Sequence, residues 1–299
     1  MKRITRRKTR LPDFFRQDIP DSRILERFRS LKKQGVNTVC LEAMCPNWSG
    51  CLSKNSPAFM ILGDRCTRSC RFCAVRKPKI RPAPPDKKEP YKILQAVKEL
   101  GIKFVIITSV TRDDLRDSGA GQFARTIRII RNYKKDIRVE VLIPDLLGSY
   151  LKQVVKECPD VLAHNLETVP RLYRRIRKES RYSRSLEVLA ESKIINPKLI
   201  TKSSLLLGMS EREKEVIEVM HDLAGVGCDI LVLGQYLAPS LRHYPVKEYI
   251  TAKQFERYKN IGLQMGFKAV LASPLARTSY KAYEVYNSVQ CIPRILNKN

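Results

Sequence analysis

Six of the nine cysteines in this 299-residue chain lie within one short stretch. They form two triplets: Cys40, Cys45 and Cys51, followed by Cys66, Cys70 and Cys73. Thiolates spaced this closely can converge on one iron–sulfur cluster from a tight loop. The alternative for each triplet is structural zinc, but zinc usually takes four ligands in two close pairs, and the three histidines lie far away at positions 164, 221 and 243. The spacing therefore favours iron–sulfur chemistry for the second triplet, whereas the spacing of the first triplet alone leaves iron–sulfur and zinc open.

The second triplet, CTRSCRFC, supplies three ligands where an iron cube has four irons, so one iron stays open. Phe72 precedes its last cysteine, and the apolar run FMILG at 59–63 leads into the loop. This pattern resembles the radical S-adenosylmethionine (SAM) enzymes. The resemblance implies that the open iron binds the amino and carboxylate groups of SAM. Reductive cleavage of SAM would then give a radical able to take hydrogen from an unactivated alkyl C–H, chemistry that belongs to the cofactor.

Longer segments narrow the resemblance to the lipoyl synthase family, over nearly the whole chain apart from its two ends. The segments are CLEAMCPNWSGC (40–51), AFMILGDRCTRSCRFCAV (58–75), ITSVTRDDLRDSGAGQFARTI (107–127), NLETVPRLYRRIR (165–177), TKSSLLLGMSE (201–211), LGQYLAPSLRHYPV (233–246) and ARTSYKA (276–282). The chain departs from the family in having Thr278 in the usual Arg-Ser-Ser-Tyr, Ser118 in the usual Asp-Gly-Gly-Ala, and many arginines after Tyr173.

The family resemblance implies insertion of two sulfur atoms, at C6 and C8 of a protein-bound octanoyl group. It assigns one [4Fe–4S] cluster to Cys66, Cys70 and Cys73, where SAM is cleaved. A second [4Fe–4S] cluster, on Cys40, Cys45 and Cys51 with Ser279 as fourth ligand, would give up its own sulfide. The octanoyl group would arrive on small acidic carrier domains, namely 2-oxoacid dehydrogenase E2 subunits and the glycine cleavage H protein, and an electron donor is implied.

Apolar runs alternate with amphipathic helices, a pattern typical of a parallel sheet with crossover helices. The predicted strands are 59–63, 104–110, 138–143, 161–166, 200–207 and 230–236, with a weak seventh at 269–272. Ser210 and Glu213 predict a capping box, Thr251 and Gln254 a second helix start, and the proline-rich 78–90 a surface connection. The resemblance implies an α/β fold, a partial (β/α)6 TIM-type barrel at 58–268. An N-terminal extension at 1–57 would carry the first triplet, and a C-terminal extension at 269–299 would carry Ser279.

Polar residues near the ends of predicted strands are candidates for contacts with SAM. They are Thr108, Ser109, Asn165, Glu167 and Gln235. The alternative is that these residues merely cap neighbouring helices. Arg112, Asp113 and Asp114 fit contacts with SAM and a solvated turn equally well. We interpret His164 as a hydrogen-bonded barrel residue, and Cys158, Cys228 and Cys291 as ordinary thiols.

The formal charge of +27 favours acidic partners, and the alternative is an ordinary solvated surface in a basic proteome. Nucleic acid is disfavoured, because the basic residues are spread along the chain and aromatics make up only 7% of it. No apolar run approaches the ~18 residues of a membrane span, and no apolar stretch follows the basic residues at 1–10, so the sequence predicts no secretory signal. Unpaired cysteines predict a reducing compartment: the cytoplasm, or an organellar matrix if the basic N-terminus is a presequence.

Two other classes of protein share part of this pattern. A radical SAM enzyme that inserts sulfur into RNA would suit the charge, but it would be expected to carry an added RNA-binding domain, for which no residues are left over. A non-enzymatic electron carrier would fill all four ligand positions of each cluster and would not need about 200 residues of barrel.

Overall fold

The computed structural model describes residues 12, 15, 21–53 and 57–291 of the chain. Its strands form one sheet in chain order; β1 pairs antiparallel with β2, and every later pair is parallel. The strands are β1 (Asn37–Thr38), β2 (Ala58–Ile61), β3 (Phe104–Ser109), β4 (Arg138–Leu142), β5 (Val161–Ala163), β6 (Ile200–Leu207), β7 (Ile230–Gln235) and β8 (Ala269–Ser273). Within the described residues β8 pairs with β7 alone, so the barrel stays open. The predicted α/β partial barrel is confirmed.

Helices connect the parallel strands, and a short 3-10 turn at Pro170–Leu172 precedes the seventh helix. The helices are α1 (Ser22–Lys33), α2 (Val39–Glu42), α3 (Trp48–Ser53), α4 (Glu89–Leu100), α5 (Ala120–Tyr133), α6 (Gly148–Val155), α7 (Tyr173–Ile176), α8 (Tyr182–Ile195), α9 (Glu213–Gly225), α10 (Ala252–Gln264) and α11 (Ala282–Gln290). The basic stretch 1–10 and residues 292–299 lie outside the described part of the chain.

All seven predicted strands are present, and the weak seventh is a full member of the sheet as β8. Some end earlier than predicted: β2 stops at Ile61 because Leu62 and Gly63 take φ of 69° and 88°, left-handed values that no strand can continue. The two-residue β1 was missed, since a strand that short has no periodicity to detect. The connection 78–90 is irregular as predicted except at its end, where α4 begins at Glu89 and holds Pro90 in its first turn.

The two predicted helix starts had different outcomes. Thr251 does cap α10, because its side chain accepts a hydrogen bond from the backbone N–H of Gln254. The capping box at Ser210 and Glu213 is wrong: α9 begins at Glu213, and Glu215 accepts the backbone N–H of Arg212 at 2.7 Å instead. The reason lies just upstream, where the Glu211 carboxylate accepts the backbone N–H groups of residues 208 and 209 and delays the helix.

Three apolar clusters hold the layers together. Two lie between the sheet and the outer helices; the third fills the N-terminal end of the barrel, where Phe104, Ile200 and Ile230 begin their strands. Tyr286 and Val289 of α11 belong to this inner cluster. The last described helix, α11, therefore covers the N-terminal end of the barrel. The open side of the barrel is the one at the C-terminal ends of the strands. Active sites of barrel enzymes are built from the loops on that side.

Candidate active site at the open end of the barrel

A cavity of about 320 Å3 opens at the C-terminal ends of the strands. Nine of the predicted site residues line it: Cys45, Cys66, Cys70, Cys73, Thr108, Ser109, Asn165, Glu167 and Ser279. These residues come from segments as far apart in sequence as 45 and 279. The fold thus brings most of the predicted chemistry to one space.

Three predicted residues do not line the cavity. Cys40 is buried beside it at the start of α2, and Cys51 lies in the first turns of α3. Gln235 is fully buried, and its carboxamide is occupied: Nε2 donates to the carbonyls of Leu207, Tyr236 and Glu248, and Oε1 accepts from the backbone N–H of Ile250. Its side chain braces two loops and has no group left to offer a ligand.

The loop that carries the second triplet is anchored on both sides. The backbone N–H of Cys66 donates to the carbonyl of Arg76 at 2.9 Å, closing the base of the loop. Thr67 donates its backbone N–H to Thr111 at 3.0 Å, and Arg71 does so to Ile176 at 2.8 Å. The loop is therefore fixed to the segments that follow β3 and β5, and its three thiols are held at the cavity wall.

The thiols of this loop affect one another electrostatically. Burial raises the pKa of Cys73 to about 11 and also raises that of Cys70, and each is raised further by the Cys66 thiolate. Lys77 acts in the opposite direction and lowers both pKa values. Within the described residues no three His, Cys, Asp or Glu side chains are placed to hold one metal ion. In a [4Fe–4S] cube each thiolate binds a different iron. Thiols that lie too far apart to bind a single ion therefore still fit such a cluster.

The first triplet is assembled from a less regular segment. Burial raises the pKa of Cys40 to about 11, and the nearby Cys45 thiolate raises it further, so these two sulfurs lie close together. Burial also raises the pKa of Cys45, while the Arg277 guanidinium acts to lower it. Arg277, from the far end of the chain, thus lines the same cavity as Cys45.

The segment 275–279 folds back over the cavity and is held at three points. Asn47 donates its side-chain amide to the carbonyl of Leu275 at 2.5 Å, which joins this segment to the first triplet. Thr278 donates its hydroxyl to Asn165 Oδ1 at 3.0 Å. At Gly234 a Cβ would lie 2.0 Å from the Ala276 carbonyl oxygen, so only glycine permits this close approach.

The polar residues at the strand ends differ in how far their side chains are already used. Thr108 donates its hydroxyl to the carbonyl of Leu142 at 3.0 Å, whereas Ser109 Oγ is buried without a hydrogen-bond partner. Asn165 donates to Glu167 at 2.9 Å, and burial raises the pKa of the Glu167 carboxyl. Glu167 takes φ of 67°, a strained value for a non-glycine residue and one that recurs at functional sites.

Several cavity residues were not found by sequence reasoning. Arg68, inside the second triplet, donates to Asp145 at 2.5 Å and to Asp113 at 2.9 and 2.8 Å. Lys77 Nζ is buried without a hydrogen-bond partner, and Asp145 Oδ1 lies 3.4 Å from His164 Nε2. Position in the sequence is the one indication that Arg68 and Lys77 lie at the site: Arg68 lies within the cysteine loop, and Lys77 follows it closely.

Buried charge at the floor of the cavity is compensated within the protein. Glu140 lines the cavity and accepts both its hydrogen bonds from Lys202, each at 2.7 Å, with both side chains almost fully buried. Burial raises the pKa of the Glu140 carboxyl, and the ammonium of Lys202 opposes that rise. We infer that this pair is structural, since neither group is left free for a ligand.

The structure also tests the interpretations of His164, of residues 112–114 and of the three isolated cysteines. His164 is a hydrogen-bonded barrel residue, as predicted, with Nδ1 2.9 Å from the carbonyl of Ile143. The solvated turn at 112–114 is wrong for Arg112, which is 2% exposed and donates to Leu62, Ala83 and Asp114. The three isolated cysteines Cys158, Cys228 and Cys291 are free thiols, as expected.

The fold and the cysteine loop define a class. The model of the radical SAM superfamily matches residues 60–223, so the chain belongs to that superfamily. Solved structures share its fold: methylornithine synthase (PylB) has a TM-score of 0.56 at 14% identity over 69% of this chain. The hydrogenase maturase HydG from Carboxydothermus hydrogenoformans has a TM-score of 0.56 at 15% identity over 77% of it. The chain spans 61% of the first and 56% of the second.

Curated relatives define the family more closely. Lipoyl synthase of Aquifex aeolicus is 52% identical over 265 residues, covering 88% of this chain and 95% of that protein. Lipoyl synthase of Alkaliphilus metalliredigens is 48% identical over 278 residues, covering 92% and 95%. The chain therefore belongs to the lipoyl synthase family, and the family resemblance seen in its sequence is confirmed. Among the described residues no helix is both long and apolar enough to cross a membrane.

Proposed function

We propose that the cavity at the open end of the barrel is where this lipoyl synthase inserts sulfur at C6 and C8 of a protein-bound octanoyl group. The family uses SAM and two [4Fe–4S] clusters. The observation that carries the proposal is that Cys66, Cys70 and Cys73 line the same cavity as Cys45 and Ser279. A site that generates a radical and a site that supplies sulfur would then open on one space.

We assign the cluster that binds SAM to the thiolates of Cys66, Cys70 and Cys73. When bound, this cluster and SAM together supply a radical that removes hydrogen from an alkyl carbon. The protein contributes placement: the loop holds three thiolates and leaves the fourth position open. Burial raises the pKa of Cys70, and the cationic Arg177 and Lys77 oppose that rise, so they favour the thiolate form.

We assign the second cluster to Cys40, Cys45 and Cys51, with Ser279 as its fourth ligand. Two contacts support this assignment: Asn47 with Leu275 holds 275–279 against the first cysteine segment, and Thr278 with Asn165 holds it at the cavity edge after β5. A hard alkoxide matches iron less well than a thiolate does. Ser279 is therefore the ligand best suited to leave when the cluster gives up sulfide.

Four of the five strand-end residues remain candidates for contacts with SAM: Thr108, Ser109, Asn165 and Glu167. The unpartnered Ser109 hydroxyl and the Glu167 carboxylate supply a donor and an acceptor for ribose hydroxyls or the methionine ammonium. Gln235 is better explained as a brace, because its hydrogen-bonding groups are all engaged with backbone.

The octanoyl group reaches the enzyme attached to another protein. We propose that its carriers are acidic domains, 2-oxoacid dehydrogenase E2 subunits and the glycine cleavage H protein, since a charge of +27 favours acidic partners. A separate electron donor would reduce the cluster that binds SAM. Exposed free thiols and iron–sulfur clusters suit a reducing compartment, so we place the reaction in the cytoplasm. We also propose that 1–57 form the auxiliary part and 58–268 the barrel, with 269–299 as a C-terminal part whose first strand, β8, joins the barrel sheet.

Anaerobic reconstitution followed by analysis of iron and sulfide tests the proposal. About two cubes per chain are expected, together with conversion of an octanoylated carrier domain to the lipoyl form, seen by mass spectrometry. One cube per chain, bound zinc in place of iron, or transfer of sulfur to RNA instead of the carrier would contradict it.

A further inference from the structure

The arginine-rich segment 170–181 lies beside the cavity. It connects the end of β5 to α8 and holds six basic residues and one acidic residue. Segments that follow parallel strands lie at their C-terminal edge, so this positive charge is concentrated at the open side of the barrel. Nothing in the proposed chemistry of sulfur insertion requires so many arginines there.

Arg171 is paired with Glu215, and the next three arginines of the segment divide into two kinds. Arg177 points inward: it is 8% exposed and donates to the carbonyls of Asn165 and Leu166 at 2.9 and 2.8 Å. Arg174 and Arg175 are exposed and form no ion pair with any described residue. One side chain thus anchors the segment to the cavity wall, while the other two leave their charge in solvent.

Three loops join to form one surface here. The backbone of Arg71 in the cysteine loop donates to Ile176 and accepts from Tyr244, both at 2.8 Å. Its guanidinium group lies 5.3 Å from the centre of the Tyr244 ring. The loop after β7 adds the exposed Leu241 and Arg242. We call Arg71, Arg174, Arg175, Leu241 and Arg242 the basic rim.

We propose that the basic rim is the docking surface for the acidic protein domain that carries the octanoyl group. This inference rests on the proposed function. The rim adjoins Cys70 and Phe72 of the cavity wall, so a domain docked there can extend its acylated lysine into the cavity. Guanidinium groups recognise surface carboxylates in bidentate geometry, and Leu241, which is 84% exposed, provides an apolar contact.

The composition of the rim favours a protein over a nucleic acid. Binding of single-stranded nucleic acid relies on aromatic side chains on which bases stack. Tyr244, the aromatic neighbour of the rim, is 6% exposed and lies beneath Arg71. The exposed members of the rim are arginines and a leucine, which match an acidic protein surface with an apolar spot.

Charge reversal at the rim tests this inference. We expect Arg174→Glu/Arg175→Glu to raise the KM for an octanoylated carrier domain at least about tenfold, with kcat changed less than about twofold. The same variant should convert a short, uncharged octanoyl-lysine peptide at the parent rate, which also shows that it is folded. The matched control is Lys152→Glu/Lys156→Glu on and just after α6, where both lysines are exposed and the net charge changes equally.

Each other outcome has a defined meaning. A parent-like KM for the carrier in the rim variant, or an equal rise in the control, would overturn the docking surface. Loss of RNA binding in the rim variant with carrier binding intact would assign the rim to nucleic acid instead. If the parent protein converts neither the carrier nor the peptide, the proposed function fails, and the rim is then excluded with it because it has no acyl carrier to bind.

Discussion

The two cysteine triplets are built differently, although both reach the same cavity. Cys66, Cys70 and Cys73 come from one loop, and all three line the cavity. Of the first triplet only Cys45 does so, while Cys40 is buried behind it and Cys51 lies in a short helix. The second triplet lies within eight residues of sequence, whereas the proposed ligand set of the first triplet includes Ser279 from a distant segment.

This difference matches the two tasks in sulfur insertion. The loop of the second triplet is fixed by backbone hydrogen bonds to the segments after β3 and β5, as a cofactor kept through many turnovers requires. In the proposed site Ser279 completes the first triplet from 275–279, a segment held by the side chains of Asn47 and Asn165. A ligand on a separate segment can move away without disturbing the barrel. That arrangement suits a cluster that is consumed as a reagent.

The largest effect is expected from the complete loop. Cys70→Ala should reduce SAM cleavage to background, because it removes one of three thiolates from the cluster that binds SAM. The auxiliary cluster should remain bound, since its ligands lie on other segments. Production of 5′-deoxyadenosine and the iron content of the variant are the measurements. Intact SAM cleavage would contradict the assignment of this loop.

Cys45→Ala should have the opposite profile. SAM cleavage and hydrogen abstraction should continue, while formation of C–S bonds should stop because only the sulfur source is lost. Mass spectrometry of the carrier domain checks for product, and assay of 5′-deoxyadenosine checks the first half-reaction in the same sample. Lipoyl product from this variant would show that the sulfur comes from elsewhere.

Gly234→Ala tests whether the close packing of the C-terminal segment holds the auxiliary site together. The added Cβ would meet the Ala276 carbonyl oxygen and push 275–279 outward, so sulfur insertion should fall by about tenfold or more, as when a group supporting a metal site is lost. Iron content should drop toward one cube per chain. Gly225→Ala is the control, because nothing lies within 4 Å of its added Cβ. Equal losses in both variants would contradict the role of Gly234.

Ser279→Ala should give the smallest of these effects. Radical generation should stay close to the parent rate, and sulfur insertion should slow by several-fold, because three thiolates still hold the auxiliary cluster. Spectroscopy of the resting auxiliary cluster should also change, since one iron loses an oxygen ligand. If both sulfurs are inserted at the parent rate and the spectrum is unchanged, Ser279 is not a ligand.

Local patterns predicted much of the fold and the cysteine sites. The triplets and the apolar strands are continuous in sequence, so spacing and periodicity were sufficient to find them. Gln235 was predicted to face the site but does not, although the alternation of side chains along β7 indicates the face on which it lies. Leu231 and Leu233 belong to the outer core, and the side chain of residue 235 follows them to that face rather than into the barrel.

Long-range contacts could not be predicted from sequence in the same way. Arg112 resembles a solvated charge beside two aspartates, yet it is buried by carbonyls from Leu62 and Ala83. The link from Asn47 to Leu275 spans 228 positions, and no local pattern encodes it.

Ser118, in place of the family's glycine, takes a left-handed φ of 48°. The carboxylate of the preceding Asp117 supports this turn by accepting backbone N–H groups of 119 and 121.

A single-turnover experiment with labelled sulfide tests most directly whether the auxiliary cluster is the sulfur source. The protein is reconstituted with isotopically heavy sulfide, freed of excess sulfide, and reacted with SAM, reductant and an octanoylated carrier domain in unlabelled buffer. Both sulfur atoms of the lipoyl product should carry the heavy isotope, and product should stop at one equivalent per chain. Unlabelled sulfur in the product, or continued turnover without added sulfide or iron, would contradict a consumed cluster on Cys40, Cys45 and Cys51.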